Sequence, residues 1–96
     1  MRSWKLKTVE LEAYAEKLEP GDRALLELAI GHTAFVSENV WVRVFAQLHD
    51  GKAYLGTVEF PPAAIRDLKR GDSITFQHEH IVRYKKANRA IGGGLN

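Results

Sequence analysis

The sequence VWVRVFAQL at positions 40–48, followed by HDGK at 49–52 and AYLGTVEF at 53–60, decides the fold. Apolar side chains occupy every second position of the first segment, which is the period of a strand with one buried face. The glycine of Asp50-Gly51 supplies the positive φ that a tight hairpin turn requires. The two segments are therefore predicted to pair as antiparallel strands. In the first strand the inward residues are Val40, Val42, Val44, Ala46 and Leu48, and the outward ones are Trp41, Arg43, Phe45 and Gln47.

An amphipathic helix is predicted upstream of this hairpin, from Val9 to Leu18. Its apolar residues recur at the i, i+3, i+4, i+7 spacing, and Pro20-Gly21 ends the element. The segment from Ala24 to Ile30 alternates like a strand, which we favour, although Asp22 would equally cap a short helix there. The apolar positions of the first helix are Leu11, Tyr14, Ala15 and Leu18.

Downstream of the hairpin, Pro61-Pro62 ends the second strand because proline cannot donate a ladder hydrogen bond. One or two helical turns are predicted from Ala63 to Leu68. A last strand is predicted from Ser73 to Val82, with Ile74 and Phe76 on the same side.

The order of these elements predicts the α+β class. The N-terminal helix is expected to pack on a curved antiparallel sheet, or a small open β-barrel, of three to four strands. Residues 1–84 are expected to form this single α+β domain, and residues 85–96 a flexible basic C-terminal tail. A chain of 96 residues has no room for a second domain.

The composition indicates a folded intracellular protein. Hydrophobic residues make up 45% of the chain and charged residues 27%, which is typical of globular domains. Cysteine is absent, so disulfides, thiolate metal sites and thiol catalysis are excluded and a cytoplasmic location is expected. No apolar run approaches the roughly 20 residues of a membrane span, and no glycine-rich phosphate loop follows a strand. We therefore expect no membrane association and no cofactor.

The net charge of +2 is unevenly distributed along the chain. Residues 1–82 carry a net charge of −2, whereas the segment from Arg83 to Asn96 carries +4. A short basic end is a weaker indication of nucleic-acid binding than a basic surface over a whole domain.

Five short motifs follow one another between Ser37 and Tyr84. They are Glu38-Asn39-Val40-Trp41-Val42, Asp50-Gly51, Leu55-Gly56-Thr57, Leu68-Lys69-Arg70-Gly71-Asp72 and Ile81. In this order they resemble the YegJ-like family of bacterial domains, whose function is unknown. The resemblance covers about half of the chain. It implies a compact β-rich fold and transfers no functional residue.

The pattern with most potential for metal chemistry is Gln77-His78-Glu79-His80. On a strand, His78 and His80 would lie on the same face and could both ligate zinc, but a closed site needs a third and usually a fourth ligand. The sequence indicates no such partner. The alternative is that both histidines lie on the solvent side of an edge strand.

The sequence contains no recognisable enzyme active site, so we expect a non-catalytic binding module. The first hypothesis is a protein partner bound through Trp41, Arg43 and Phe45, because aromatic residues and arginine dominate binding hot spots. Such a module would be a small regulator or inhibitor of a bacterial or phage-encoded system, or a homodimer. An edge strand such as Ala53 to Phe60 would also allow strand addition. Alternatively, Trp41 and Phe45 pack beneath the N-terminal helix.

Nucleic-acid binding is the second hypothesis. Small barrels can present aromatic rings for base stacking and basic side chains for phosphate. Here the outward residues of the central strand would combine with a basic and aromatic segment near the end of the chain. That segment comprises Arg83, Tyr84, Lys85, Lys86 and Arg89. The third hypothesis is an enzyme or metal-binding protein that uses His78 and His80.

Overall fold

The computed structural model describes residues 3–9, 17–31 and 36–87. Strands account for 53% of this part of the chain, which contains no helix of seven residues or more. Two short 3-10 turns, His49–Gly51 and His78–His80, interrupt the strands. The strands are β1 (Trp4–Leu6), β2 (Arg23–Ile30), β3 (Ser37–Leu48), β4 (Ala53–Val58), β5 (Ser73–Gln77) and β6 (Ile81–Lys85).

All six strands belong to one antiparallel sheet that curls into a nearly closed barrel. Strands β2 to β5 form a meander in which each strand pairs with the next. Strand β6 then crosses back and pairs with β2 from Arg23 to Leu26, while β1 pairs with the end of β2 from Leu28 to Ile30. Strand β2 therefore has β3 along one edge and shares the other between β1 and β6.

The predicted α+β class is wrong, because the described chain is built of strands and no N-terminal helix packs on them there. Most of the predicted helix, residues 10–16, lies outside the described residues. Its two described ends are not helical: the Val9 N–H donates to the Glu79 carbonyl, and the Leu18 N–H donates to the Tyr54 hydroxyl. The sheet buries its apolar face by curling on itself, so a helical cover is not needed.

The short helix predicted from Ala63 to Leu68 is also wrong, because residues 61–72 form bends and turns. The Glu38 carboxylate accepts the N–H groups of Ala63 (2.7 Å) and Ala64 (2.9 Å) and fixes the start of this segment. Ile65 and Leu68 are buried in the core. Six residues after two prolines gain too few helical hydrogen bonds to repay helix nucleation.

The predicted hairpin and its turn are confirmed. Strands β3 and β4 pair antiparallel, and His49, Asp50 and Gly51 all have positive φ, at 52°, 59° and 83°. The strand prediction for Ala24 to Ile30 is confirmed by β2. Because β4 lies between β3 and β5, it is not the free edge that strand addition would need.

A β-bulge at Phe45 limits the predicted alternation of β3. Val44 pairs with Gly56, but Ala46 pairs with Leu55, so Phe45 is an extra residue with no partner on β4. An inserted residue reverses which face the following side chains occupy. Gln47 was predicted to face outward but lies opposite the buried Tyr54. The predicted inward residues are buried from Val40 to Val44, whereas Ala46 and Leu48 beyond the bulge are only half-buried and Gln47 stays exposed.

The last predicted strand, Ser73 to Val82, is divided in two. Ile74 and Phe76 are buried as expected, but the 3-10 turn His78–His80 ends β5 and redirects the chain toward β2. Because of this turn, the segment forms two strands, of which β5 pairs with β4 and β6 pairs with β2. The barrel core contains Trp4, Leu18, Ala24, Leu26, Leu28, Val40, Val42, Val44, Tyr54, Val58, Ile65, Leu68, Ile74, Phe76 and Ile81.

The described domain extends to Ala87, beyond the predicted boundary between residues 84 and 85. Lys85 is the last residue of β6. Asp22, which is fully buried, accepts the Ala87 N–H (2.6 Å) and lies 2.8 Å from the Lys86 ammonium nitrogen. Residues 88–96 of the predicted tail lie outside the described residues.

Candidate functional site

Cross-strand registers assemble one continuous surface on the solvent side of the barrel. Arg23 on β2 lies opposite Arg43 on β3 and opposite Lys85 on β6. Leu25, two residues along β2, lies opposite Trp41 and Arg83. Directly opposed residues on antiparallel strands project from the same face. We call the surface formed by these residues the outer face: Arg23, Leu25, Trp41, Arg43, Arg83 and Lys85.

Trp41 lies at the centre of the outer face. Its side chain is half-buried, and the Lys85 ammonium nitrogen lies 5.2 Å from the centroid of its ring. This is the geometry of a cation–π contact. The contact joins the two groups that the nucleic-acid hypothesis combined, the outward side of β3 and the basic segment near the end of the chain.

Two phenylalanines lie exposed beside the outer face. Phe45 is 67% exposed and Phe60 is 70% exposed. Phe45 has no partner on β4 because of the bulge, and the pairing of β3 with β2 ends at Arg43, so Phe45 lacks a cross-strand neighbour on either side. The alternative prediction that Phe45 packs beneath a helix is therefore wrong.

A small cleft opens at the β4 side of the outer face. Its volume is about 240 Å³, and the residues that line it include Arg43, Thr57, Glu59, Phe60 and Arg70. The Glu59 carboxylate is bound by Arg23, whose Nε lies 2.6 Å from Oε1 and whose Nη2 lies 3.2 Å from Oε2. This pairing raises the pKa of Arg23 above its usual value.

The turn that follows the Pro-Pro segment sets the position of Arg70. Two backbone hydrogen bonds of 2.9 Å tie the turn to β4, from the Val58 N–H to the Asp72 carbonyl and from the Gly71 N–H to the Val58 carbonyl. Gly71 has a φ of 92°, a left-handed conformation that glycine adopts without strain. Arg70, next to this glycine, is thereby held beside Arg43 across the cleft.

The four described residues that were predicted for nucleic-acid binding do not all lie on one surface. Arg83 and Lys85 belong to the outer face, but Tyr84 lies opposite Ala24 and packs against the core. Lys86 is engaged with Asp22 and also donates to the Lys17 carbonyl (3.0 Å). Arg89 lies outside the described residues.

His78 and His80 lie in a 3-10 turn, so the strand geometry assumed for a shared metal does not occur. His78 Nε2 lies 2.8 Å from the Tyr54 hydroxyl, and burial lowers the pKa of His78. His80 Nδ1 accepts the Gln77 N–H at 3.0 Å. Across residues 3–9, 17–31 and 36–87, no cluster of three or more His, Cys, Asp or Glu residues could hold a metal.

The sequence did not indicate Arg23 or Arg70 as site residues, and it indicated Glu59, next to Phe60, only as a carboxylate that acid-base catalysis could use. They come from β2, the end of β4 and the turn before β5, and only the folded sheet brings them beside Arg43. The available signal was the Gly71-Asp72 turn. This turn predicted where the chain reverses direction, but it did not predict which strand the turn lies against.

Comparison of the chain with protein-family models, curated proteins and solved structures found no match. The resemblance to YegJ-like domains therefore stays a prediction. Within the described ranges, no helix is long and apolar enough to cross a membrane. A functional assignment consequently depends on the residues of the outer face and its cleft.

Proposed function

We propose that this chain is a non-catalytic binding module that contacts a protein partner through the outer face. The observation that carries the proposal is the grouping of a half-buried Trp41 and the exposed Phe45 with the guanidinium of Arg43 along one strand. Aromatic residues and arginine are the residue types enriched in the centres of protein interfaces. The partner is another chain or a second copy of this one.

The exposed aromatic rings supply the expected driving force. Full burial of a phenylalanine side chain contributes about 1.5–3 kcal/mol. Phe45 and Phe60 both retain most of their surface in the isolated chain, so a partner that covers them gains this contribution. The arginines around the rings supply hydrogen-bond donors for a polar rim.

The two described carboxylates whose pKa values are lowered have structural roles. The pKa of Glu27 is lowered by its hydrogen bonds from Ser37 and Lys7, and the pKa of Asp67 is lowered by hydrogen bonds from Ser3. Shifted groups of an active site would be expected to converge in a cleft. These carboxylates instead have local structural partners and do not line the cleft beside Arg43.

The proposal is tested with a photo-crosslinking amino acid in place of Phe45, in cells of the protein's own source. The crosslinked partner is identified by mass spectrometry, purified and titrated against the chain by calorimetry. Trp41→Ala and Phe45→Ala should each weaken binding at least about tenfold, which corresponds to ~1.4 kcal/mol. Val36→Ala is the control, because Val36 is 51% exposed and lies before β3, outside the outer face.

Self-association is measured separately by size-exclusion chromatography with light scattering. If the partner is a second copy, the wild-type chain should elute as a dimer and Phe45→Ala as a monomer. Binding that survives both Trp41→Ala and Phe45→Ala with less than about a twofold change would contradict the proposal.

Nucleic-acid binding is the second candidate function, and the contact between Lys85 and Trp41 favours it. A cation beside an aromatic ring can engage a phosphate and a stacked base together. Fluorescence anisotropy with a labelled oligothymidine at low and high salt tests this alternative. Affinity that falls steeply with salt and is lost in Lys85→Ala would replace the protein proposal, since Lys86 is already engaged with Asp22.

A further inference from the structure

We propose that the cleft between Arg43 and Arg70 binds a carboxylate side chain of the partner, so that the partner presents an acidic segment to this domain. This inference rests on the proposed function, because it assigns the chemistry of the partner at one end of the outer face. It concerns Arg70, Thr57 and Phe60, which the outer face itself does not include.

The charges on the walls of the cleft are not balanced. Glu59, the carboxylate on its wall, is held by two hydrogen bonds from Arg23. In the part of the chain that the structure describes, the guanidinium groups of Arg43 and Arg70 make neither a hydrogen bond nor an ion pair. The cleft therefore presents two cations without a matching anion, and a ligand with a negative charge would complete it.

The donor geometry suits a carboxylate. A guanidinium presents its N–H groups as a rigid planar fork, which a carboxylate can accept with both oxygens. Two residues that carry such forks line the cleft, and so does Thr57, which lies opposite Arg43 in the sheet and has a hydroxyl donor. The backbone hydrogen bonds between Val58 and the Gly71-Asp72 turn hold the Arg70 backbone in place before binding, so less conformational freedom is lost on binding.

The size of the cleft suits a single side chain. Its volume of about 240 Å³ is below the range of roughly 300–1,000 Å³ that is usual for small-molecule pockets. The exposed Phe60 supplies an apolar group next to the arginines. A partner segment in which an acidic residue is next to an apolar one would fit here. Its carboxylate would bind the guanidinium groups, and its apolar side chain would pack against the ring of Phe60.

The experiment uses the full chain labelled with 15N and a defined acidic probe, the blocked peptide GGDFEFDGG. Its neutral twin is GGNFQFNGG, and both are titrated into the chain while NMR spectra are recorded. We expect the acidic peptide to shift the amide resonances of Thr57, Phe60 and Gly71, and the neutral twin to leave them unchanged. The arginine Nε–H resonances of Arg43 and Arg70 should move in the same titration.

Two single substitutions and a control test the contact. Arg70→Ala and Arg43→Ala should each weaken binding of the acidic peptide about fivefold or more, and Arg70→Lys should weaken it less. Lys69→Ala removes the same charge from the same turn but not from a wall of the cleft, so it should change the affinity less than about twofold. Spectra of the free variants verify that each one is folded.

Several outcomes would overturn the inference. An equal loss in Lys69→Ala would show that only net charge attracts the peptide. Cleft resonances that do not move at millimolar acidic peptide, or that move equally with the neutral twin, would exclude carboxylate recognition. Shifts produced at lower concentration by inorganic phosphate or a decathymidine would assign the cleft to phosphate.

The crosslinked partner separates this inference from the proposed function. If Trp41→Ala abolishes binding of that partner and Arg70→Ala does not change it, the outer face binds a protein and the cleft does not bind its carboxylate. If Arg70→Ala weakens binding of the partner, and if this loss disappears when the acidic residues of the partner are neutralised, both proposals hold.

Discussion

Two regions of this domain use polar side chains in opposite ways. Where the barrel closes, Asp22 is fully buried and accepts hydrogen bonds from the Glu19 and Ala87 backbones while it pairs with Lys86. On the outer face and its cleft, the guanidinium groups of Arg43 and Arg70 have no matching anion among the described residues. The closing region uses its polar groups to hold the fold, whereas the outer face keeps donors available to another molecule.

Asp22→Ala should have the largest effect on stability. The substitution leaves the Glu19 and Ala87 N–H groups without their acceptor and removes the buried partner of Lys86. The Lys86 side chain is 32% exposed, so the two N–H groups that lose their acceptor should dominate the cost. Each such donor costs about 1–3 kcal/mol, and the free energy of unfolding should fall by about 2 kcal/mol or more in urea titrations. Lys86→Met is the control and should cost less, because Asp22 then keeps its backbone donors. A loss below about 1 kcal/mol in Asp22→Ala would remove the contrast between the two regions.

Tyr54→Phe should have the next largest effect. The buried Tyr54 hydroxyl accepts the Leu18 N–H at 3.0 Å and lies 2.8 Å from His78 Nε2, and the substitution removes both hydrogen bonds. We expect a loss of about 1–3 kcal/mol in the free energy of unfolding. Tyr84→Phe is the matched control, since Tyr84 is half-buried, and it should change stability by less than about 0.5 kcal/mol.

The pH dependence of unfolding should report on His78. Burial lowers its folded pKa below the ordinary value of 6.5, so between these two values the unfolded chain binds more protons than the folded chain. Stability should therefore fall as the pH decreases below 6.5 toward the folded pKa, and it should be unaffected by this group above 6.5. Thermal unfolding at about pH 7.5 and about pH 5.5 tests this, with His78→Gln expected to show a smaller decrease.

Glu27 and Asp67 do not obscure this measurement. Their folded pKa values are lowered from ordinary values of 4.5 and 3.8, so the stability they contribute is lost only as the pH falls below those values. A decrease between neutral and mildly acidic pH that His78→Gln leaves unchanged would have to come from another group.

Substitutions on the outer face should have the smallest effect on stability. Phe45→Ala and Arg43→Ala remove exposed side chains and should each change the free energy of unfolding by less than about 0.5 kcal/mol. The same variants are expected to weaken partner binding at least about tenfold. A destabilisation above about 1 kcal/mol by either one would mean that the outer face supports the fold, and the contrast between the regions would fail.

Local sequence signals predicted the central hairpin and the strands around it. The alternation from Val40 to Val44, the positive φ at Gly51, and the common burial of Ile74 and Phe76 all depend on nearest neighbours along the chain. For the same reason, the placement of Trp41 and Arg43 on one solvent-facing side was predictable.

The features that the sequence did not predict depend on residues far apart in the chain. Phe45 could be recognised as a bulge only once the register with β4 was known, because the hydrophobic alternation continues through it. Asp22 was considered as a helix cap, whereas its partner Ala87 lies 65 residues away. The 3-10 turn at His78–His80 and the convergence of Arg43 with Arg70 likewise follow from barrel closure.

The return of β6 to β2 determines the order in which a newly made chain can complete its sheet. Strands β2 to β5 can pair one after another as they leave the ribosome, since each neighbour follows in sequence. The part of β2 from Arg23 to Leu26 must wait for its β6 partner until residues 81–85 have been synthesised, and pairing over so long a separation is slow. During that interval the open edge of β2 is a template for pairing with other chains, so synthesis that stalls before Ile81 should favour aggregation.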